Sequence, residues 1–276
     1  MSGKVSYRKV TSLIIKEKIF STRMLLMFPI LLLFIPGMAW GFSDPSIILP
    51  GGHRPETPME VLFYSSLGIV FGGTMCAVLM AFDGVSKERA SGVLEVKLAQ
   101  PMSRLSQTLA LVHGTSVAVI IPVTFLLLIS VFIIRYRMGA WPELMDIIIH
   151  IIAAGLILTW YTLFTLIASS KAREQGTAMA FGVGIWFFFT FLWALVTSMV
   201  ALASGIAIGQ DNDSSWIALE GALDLFSPNG VYHHILETRL SGVQRGVSGW
   251  QIWLMTIAWT VLPLWILAKR MEDLVP

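Results

Sequence analysis

Residues 105–134 read LSQTLALVHGTSVAVIIPVTFLLLISVFII, an uninterrupted run without Asp, Glu, Lys or Arg. A helix of about 20 apolar residues crosses the ~30 Å hydrocarbon core of a bilayer. Inside that core each backbone N–H and C=O has to be satisfied within the segment, which a helix achieves and a lone strand does not. The run therefore reads as a membrane-spanning helix longer than the minimum, and Pro122 within it predicts a kink.

Working outward, residues 24–42, 61–82, 147–168, 177–208 and 250–268 repeat the pattern, giving six spans. Fifty-five per cent of the chain is hydrophobic and 13% charged, about half the ~25% charge of a soluble domain. No stretch between the blocks is long enough for a large soluble domain, so residues 1–276 form one all-α polytopic membrane domain. Residues 6–23 mix Arg8, Lys9, Lys16, Lys18 and Arg23 with Val10, Leu13 and Ile14, which share a helical face. That segment reads as an interfacial helix, with a solvated basic tail as the alternative. Within the outer segment 210–249, residues Trp216 to Leu240 alternate apolar residues with Glu220, Asp224, Glu237 and Arg239 and predict short helices in or near the other leaflet.

Charge sets the orientation. With the N-terminus inside, fourteen of the 19 cations fall on the inner side: Lys4, Arg8, Lys9, Lys16, Lys18, Arg23, Lys87, Arg89, Lys97, Arg104, Lys171, Arg173, Lys269 and Arg270. Arg54, Arg135, Arg137, Arg239 and Arg245 remain outside. Basic residues favour the cytoplasmic side, so both termini are expected in the cytoplasm of a cell or inner membrane. Trp40, Trp141, Trp216 and Trp250 fall near the outer ends of spans, where an aromatic belt is expected. The spacings Gly68-x-x-x-Gly72 and Gly205-x-x-x-Gly209 would allow two helices, or two subunits, to approach closely.

Several function classes are excluded. No Gly-rich loop ending in Lys-Ser or Lys-Thr is present to cradle a nucleotide. No nucleophile elbow or His-Glu-x-x-His appears, and His113 and His150 are the only titratable side chains well inside spans apart from Cys76 and tyrosines. A proton- or ion-coupled carrier would need more ionisable groups. The methionines, Cys76 and the histidines contain soft ligands suited to copper, but the methionines are dispersed and read as apolar filler. His233 and His234 are adjacent in sequence and point apart on a helix, so packing is the simpler reading. No metal site is assigned.

Between the second and third blocks, residues 83–104 read DGVSKERASGVLEVKLAQPMSR. This stretch can hold a short charged helix before Pro101 and serve as a handle for a water-soluble partner, or simply set topology. The segment resembles the cytoplasmic loop of ABC-2-type permeases, whose usual form is Glu-x-x-x-Gly-Thr-Leu-Glu-Leu-Leu-Leu-Ser-Gln-Pro-Val-Ser-Arg. Glu88, Gly92, Leu94, Glu95, Leu98, Gln100, Pro101, Ser103 and Arg104 match in register, while Val93 and Lys97 depart from it. Residues 225–232, LFSPNGVY, are similar to the family's Leu-Asn-Pro-x-x-x-Tyr motif, and residues 268–274 to its basic C-terminal ending. The run Trp186-Phe-Phe-Phe189 and the overall size most resemble the permease of the nitrous-oxide-reductase maturation system.

The resemblance implies an ABC-2 (type V) exporter-like transmembrane domain with an elbow helix at 6–23 and a coupling loop at 84–104. It implies a cytoplasmic ABC ATPase in two copies, a homodimer of this chain, and ATP and Mg bound by the partner rather than here. Glu88, Gly92, Leu94, Glu95, Leu98, Gln100, Pro101 and Arg104 would then contact the ATPase. Phe226, Pro228 and Tyr232 would form an outer gate or the site of an extracytoplasmic protein. The bilayer is the remaining partner and nucleic acid is not expected. Export or flipping of an amphiphile, peptide, drug or sulfur species is one outcome. The other is a mechanotransmitter that relays ATPase motion outward with nothing crossing.

Overall fold

Polar side chains mark where the apolar helices begin. Ser21 Oγ accepts the Met24 N–H, Ser103 Oγ accepts the Ser106 N–H, and Thr57 and Glu60 accept each other's backbone N–H groups. Such caps satisfy donors that a helix leaves without intrahelical partners. The computed structural model describes residues 7–49, 52–93, 102–209, 214–241, 243 and 246–274. Among them the chain forms α1 (Tyr7–Ile19), α2 (Thr22–Phe42), α3 (Pro58–Ser65), α4 (Thr74–Ala81), α5 (Ser86–Ala90) and α6 (Arg104–Met138). There follow α7 (Leu144–Lys171), α8 (Gln175–Phe187), α9 (Trp193–Ala203), α10 (Ser214–Asp224), α11 (Pro228–Glu237) and α12 (Gly249–Glu272). A π-helical segment, Ile69–Gly73, leads into α4, and another, Phe188–Leu192, joins α8 to α9.

Among the described residues, six stretches are long and apolar enough to cross a membrane: Thr22–Phe42, Pro58–Ala90, Arg104–Met138, Leu144–Lys171, Gln175–Ala203 and Gly249–Glu272. The chain is a multi-pass membrane protein. The second span is the centre of the bundle, with 78% of its most apolar window buried, whereas the fifth lies at the margin with 11%. Leu31, Leu62, Ile69, Leu126, Ile157, Trp160 and Tyr161 pack into one core around the second and fourth spans. Lipid tails are as apolar as leucine, so packing and interhelical hydrogen bonds hold such a bundle together. Trp160 Nε1 donates to Thr260 Oγ1 at 2.9 Å between the fourth and sixth spans, and Trp186 Nε1 donates to Thr74 Oγ1 at 2.9 Å between the fifth and second.

Pro122, where a kink is expected, is buried within α6, which is helical on both sides of it. Several local expectations change. On α1 the expected stripe divides: Ile14 lies against Gly114 of α6, while Leu13 is 66% exposed. Gly68 serves the chain's own packing, since a Cβ there would sit 2.3 Å from the Phe34 carbonyl oxygen of α2. Gly205 and Gly209 are not a helical interface at all, because they follow α9 with φ of 70° and 72° in the left-handed region. Trp216 is buried rather than set in an exposed belt.

Candidate functional site

At the end of the bundle that carries Lys171, the turn between α4 and α5 of the second span holds Asp83, which is buried at 8% exposure. Its carboxylate receives Arg23 Nη1 at 2.9 Å and faces Lys18 Nζ at 3.8 Å, so one acid fastens the α1–α2 elbow to the start of residues 84–104. Burial pushes the Lys18 ammonium below the usual lysine range, and Asp83 opposes that shift. The next turn is fixed to α7. Arg89 donates to the Ser170 and Ala172 carbonyls at 2.8 Å each, and Ser169 Oγ accepts the Val85 and Ser86 N–H groups at 3.1 and 3.0 Å. A guanidinium fork that caps the last carbonyls of a helix matches both their unmet acceptors and the negative end of its dipole.

At the opposite end, which carries Glu143, residues 225–232 form a corner that turns back into the bundle. Gly230 makes the turn possible, because a Cβ there would fall 2.2 Å from the Asp224 carbonyl oxygen. Trp259 Nε1 of the sixth span donates to the Leu225 carbonyl at 3.1 Å. Asn229 then joins three elements: its Oδ1 accepts the Tyr161 hydroxyl at 2.8 Å, and its Nδ2 donates to the Phe189 carbonyl at 3.1 Å. Phe189 belongs to the π-helical segment of the fifth span, where the widened turn disrupts the regular i→i−4 ladder. Most of α11 is buried, and His234 is held there by the Gly221 carbonyl at 3.1 Å and Glu237 at 3.2 Å. Arg239 ties the end of α11 to α7, at 2.7 Å from Asp146 and 3.0 Å from Glu143.

Between these corner elements and the second and fifth spans lies a groove of about 280 Å³. Val70 and Phe71 from one π-helical segment and Phe189 and Thr190 from the other contribute to its lining, with Trp193, Trp216, Glu220 and Asp224 around them. The Phe71 and Phe191 rings touch across the two segments with centroids 5.7 Å apart. Paired irregular turns make this the part of the bundle best suited to change register. Chemically the groove offers an apolar, aromatic interior with two carboxylates, His233 and the hydroxyls of Thr190, Thr197, Ser198 and Ser227 in its lining.

Of the expected partner-facing residues, Glu88 lies in α5, Gly92 follows it with φ of 70°, and Arg104 begins α6. Leu94, Glu95, Leu98, Gln100 and Pro101 lie outside the described residues. Of the expected gate residues, Phe226 is exposed, whereas Pro228 opens α11 and Tyr232 sits within it, both buried. Phe226 is thus the one of the three that the surface offers to another protein. Sequence reasoning passed over Asp83, Arg89, Ser169 and Asn229. A lone Asp closing an apolar block and an Asn beside Pro228 were the available signals.

Residues 5–269 match the sequence model of a family described as ABC-2 family transporter protein. No curated protein matches the chain. The match covers nearly the whole sequence and does not single out the nitrous-oxide-reductase branch.

Proposed function

This chain belongs to the ABC-2 transporter family, which supplies the transmembrane component of ABC transporters, and from that premise we propose that it exports or flips an amphiphilic substrate. Two copies form the permease, and each pairs with a cytoplasmic ABC ATPase that binds ATP and Mg. The Lys171 end faces the cytoplasm, and residues 84–104 receive the ATPase. The poorly covered fifth span, with Phe181, Phe188, Phe191 and Leu195 exposed, is the surface that meets the second copy. Motion at residues 84–104 reaches the first, second and fourth spans through Asp83, Arg89 and Ser169.

The observation that carries transport over a pure relay is the groove between the second and fifth spans. A relay needs a packed interface and has no use for a lined cavity. In a relay, ATPase motion would instead pass to a protein bound at the Glu143 end, near exposed Phe226. A sulfur species remains the cargo suggested by the Trp186-Phe-Phe-Phe189 run.

Filling the groove separates the readings. Ala194 lines it and is exposed, so Ala194→Trp should leave folding and ATPase assembly intact. We expect that variant to abolish export-dependent resistance or secretion in cells. Undiminished function of Ala194→Trp would favour the relay.

A further inference from the structure

The resemblance places Tyr232 at an outer gate, but the fold buries it completely and leaves its hydroxyl without a hydrogen-bond partner among the described residues. The Ser66 hydroxyl is its neighbour, is itself buried and is equally unpartnered, so the two groups lie close together but outside hydrogen-bond geometry. His150 of α7 extends the cluster. Both of its ring nitrogens are unpartnered beside the Leu62 carbonyl, which already accepts from Ser65 Oγ and the Ser66 N–H. A neutral imidazole presents one donor and one acceptor, so four buried polar atoms from three elements go unmet in one place. Such groups cost stability in the conformation that leaves them so.

The elements that carry the two hydroxyls are held differently. Helix α11 is fastened by Asn229 to Tyr161 and Phe189, by His234 to the Gly221 carbonyl, and at its end by Arg239 to Asp146. Ser66 instead caps the end of α3, two residues before the π-helical segment Ile69–Gly73. A π-helical turn holds more residues than an α-helical one, so rewinding that segment turns α3 about its axis relative to α4 and carries Ser66 with it. Val70 and Phe71 of the same segment line the groove. A rotation that moves Ser66 therefore also reshapes the groove wall.

We infer that Tyr232 and Ser66 form a switch contact: their hydroxyls stand apart in the present conformation and hydrogen-bond in the second conformation of the ATPase-driven cycle, when Ile69–Gly73 rewinds. The Tyr232 hydroxyl then donates to Ser66 Oγ, and the bond stabilises the reshaped groove. Tyr232 is thus a positioning residue that acts through the second span and touches no substrate. The inference rests on the ATPase-driven cycle proposed above and holds for export and relay alike.

The test uses the permease–ATPase complex in lipid nanodiscs and reads melting temperature without nucleotide and ATP turnover. Removing a buried hydroxyl that has no partner relieves a cost, so Tyr232→Phe should melt at or above the wild-type temperature. Tyr161→Phe, which loses a bond already made to Asn229, should melt lower. Turnover of Tyr232→Phe should fall roughly fivefold, the population change that one neutral hydrogen bond sets. Ser66→Ala should fall as far, and the double variant should be no slower than either single one, because all three lose the same bond. Wild-type turnover in Tyr232→Phe would overturn the inference, and so would losses that multiply in the double variant. A Tyr232→Phe complex that melts below wild type or fails to assemble would also overturn it, since the hydroxyl would then serve the present conformation. A wild-type complex that never turns over ATP would remove the cycle itself, and this inference with it.

Discussion

Single polar side chains hold this bundle at the places where apolar packing is least selective. Asp83 is the clearest case, because it is buried and faces two cations from the elbow. Asp83→Asn keeps the shape and removes the charge. Hydrogen bonds to charged groups are worth about 1.5–3 kcal/mol, so a loss of that order is expected in unfolding measured in detergent. Asn229→Ala removes its bonds to the Tyr161 hydroxyl and the Phe189 carbonyl together. Interhelical hydrogen bonds in membranes average about 0.6 kcal/mol, so a loss of roughly 1–2 kcal/mol is expected, with the fifth span loosened more than the first. A melting temperature equal to wild type in either variant would show that the contact holds nothing. Exposed charges are a different matter. Asp44, whose carboxyl is held below the usual range first by Ser46 and then by Arg137, is about half exposed and contributes chiefly to local order.

At the scale of elements, the turn before α11 decides whether the corner can fold back into the bundle. Gly230→Ala would place a methyl 2.2 Å from the Asp224 carbonyl oxygen, so the backbone has to move. Overpacking of this kind costs about 1–3 kcal/mol. Gly41→Ala, in a helix with nothing within 4 Å of the added carbon, should instead be neutral or stabilising by up to about 1 kcal/mol. Equal melting temperatures for the two variants would contradict the close packing at Gly230. The six spans were legible in the sequence because length and absence of charge are all a bilayer asks of a helix. The π-helical segments were not, since one extra residue in a turn leaves the hydropathy unchanged. Nor was the burial of α11, whose alternating polar residues imply an interfacial helix until Asn229 and His234 find partners inside. The glycine pairs misled for a related reason: spacing records separation along a helix and cannot tell that Gly205 and Gly209 lie beyond its end.

For the whole molecule, the proposed function requires the Lys171 end to face the cytoplasm, docked on an ATPase, and the groove to face the other side. A cysteine at Lys171, which is exposed at the end of α7, should react only with reagents that reach the cytoplasm, and one at exposed Glu56 only from outside. Labelling with the sides exchanged would move the docking surface to the wrong compartment. The division of labour between the ends follows from their construction. Asp83, Arg89 and Ser169 make a stiff joint at one end, while the π-helical segments leave an adaptable groove at the other. The central claim is that residues 84–104 couple this chain to its ATPase. It is tested most directly at Glu95, a position outside the described residues whose carboxylate matches the family's loop motif. Co-purification with the ATPase chain and ATP turnover in lipid are measured for wild type, Glu95→Arg and the distant control Glu56→Arg. A charge reversal at a desolvated contact costs several kcal/mol, so Glu95→Arg should lose assembly and turnover while Glu56→Arg keeps both. Full assembly and full turnover with Glu95→Arg, and again after scrambling residues 84–104, would contradict the account.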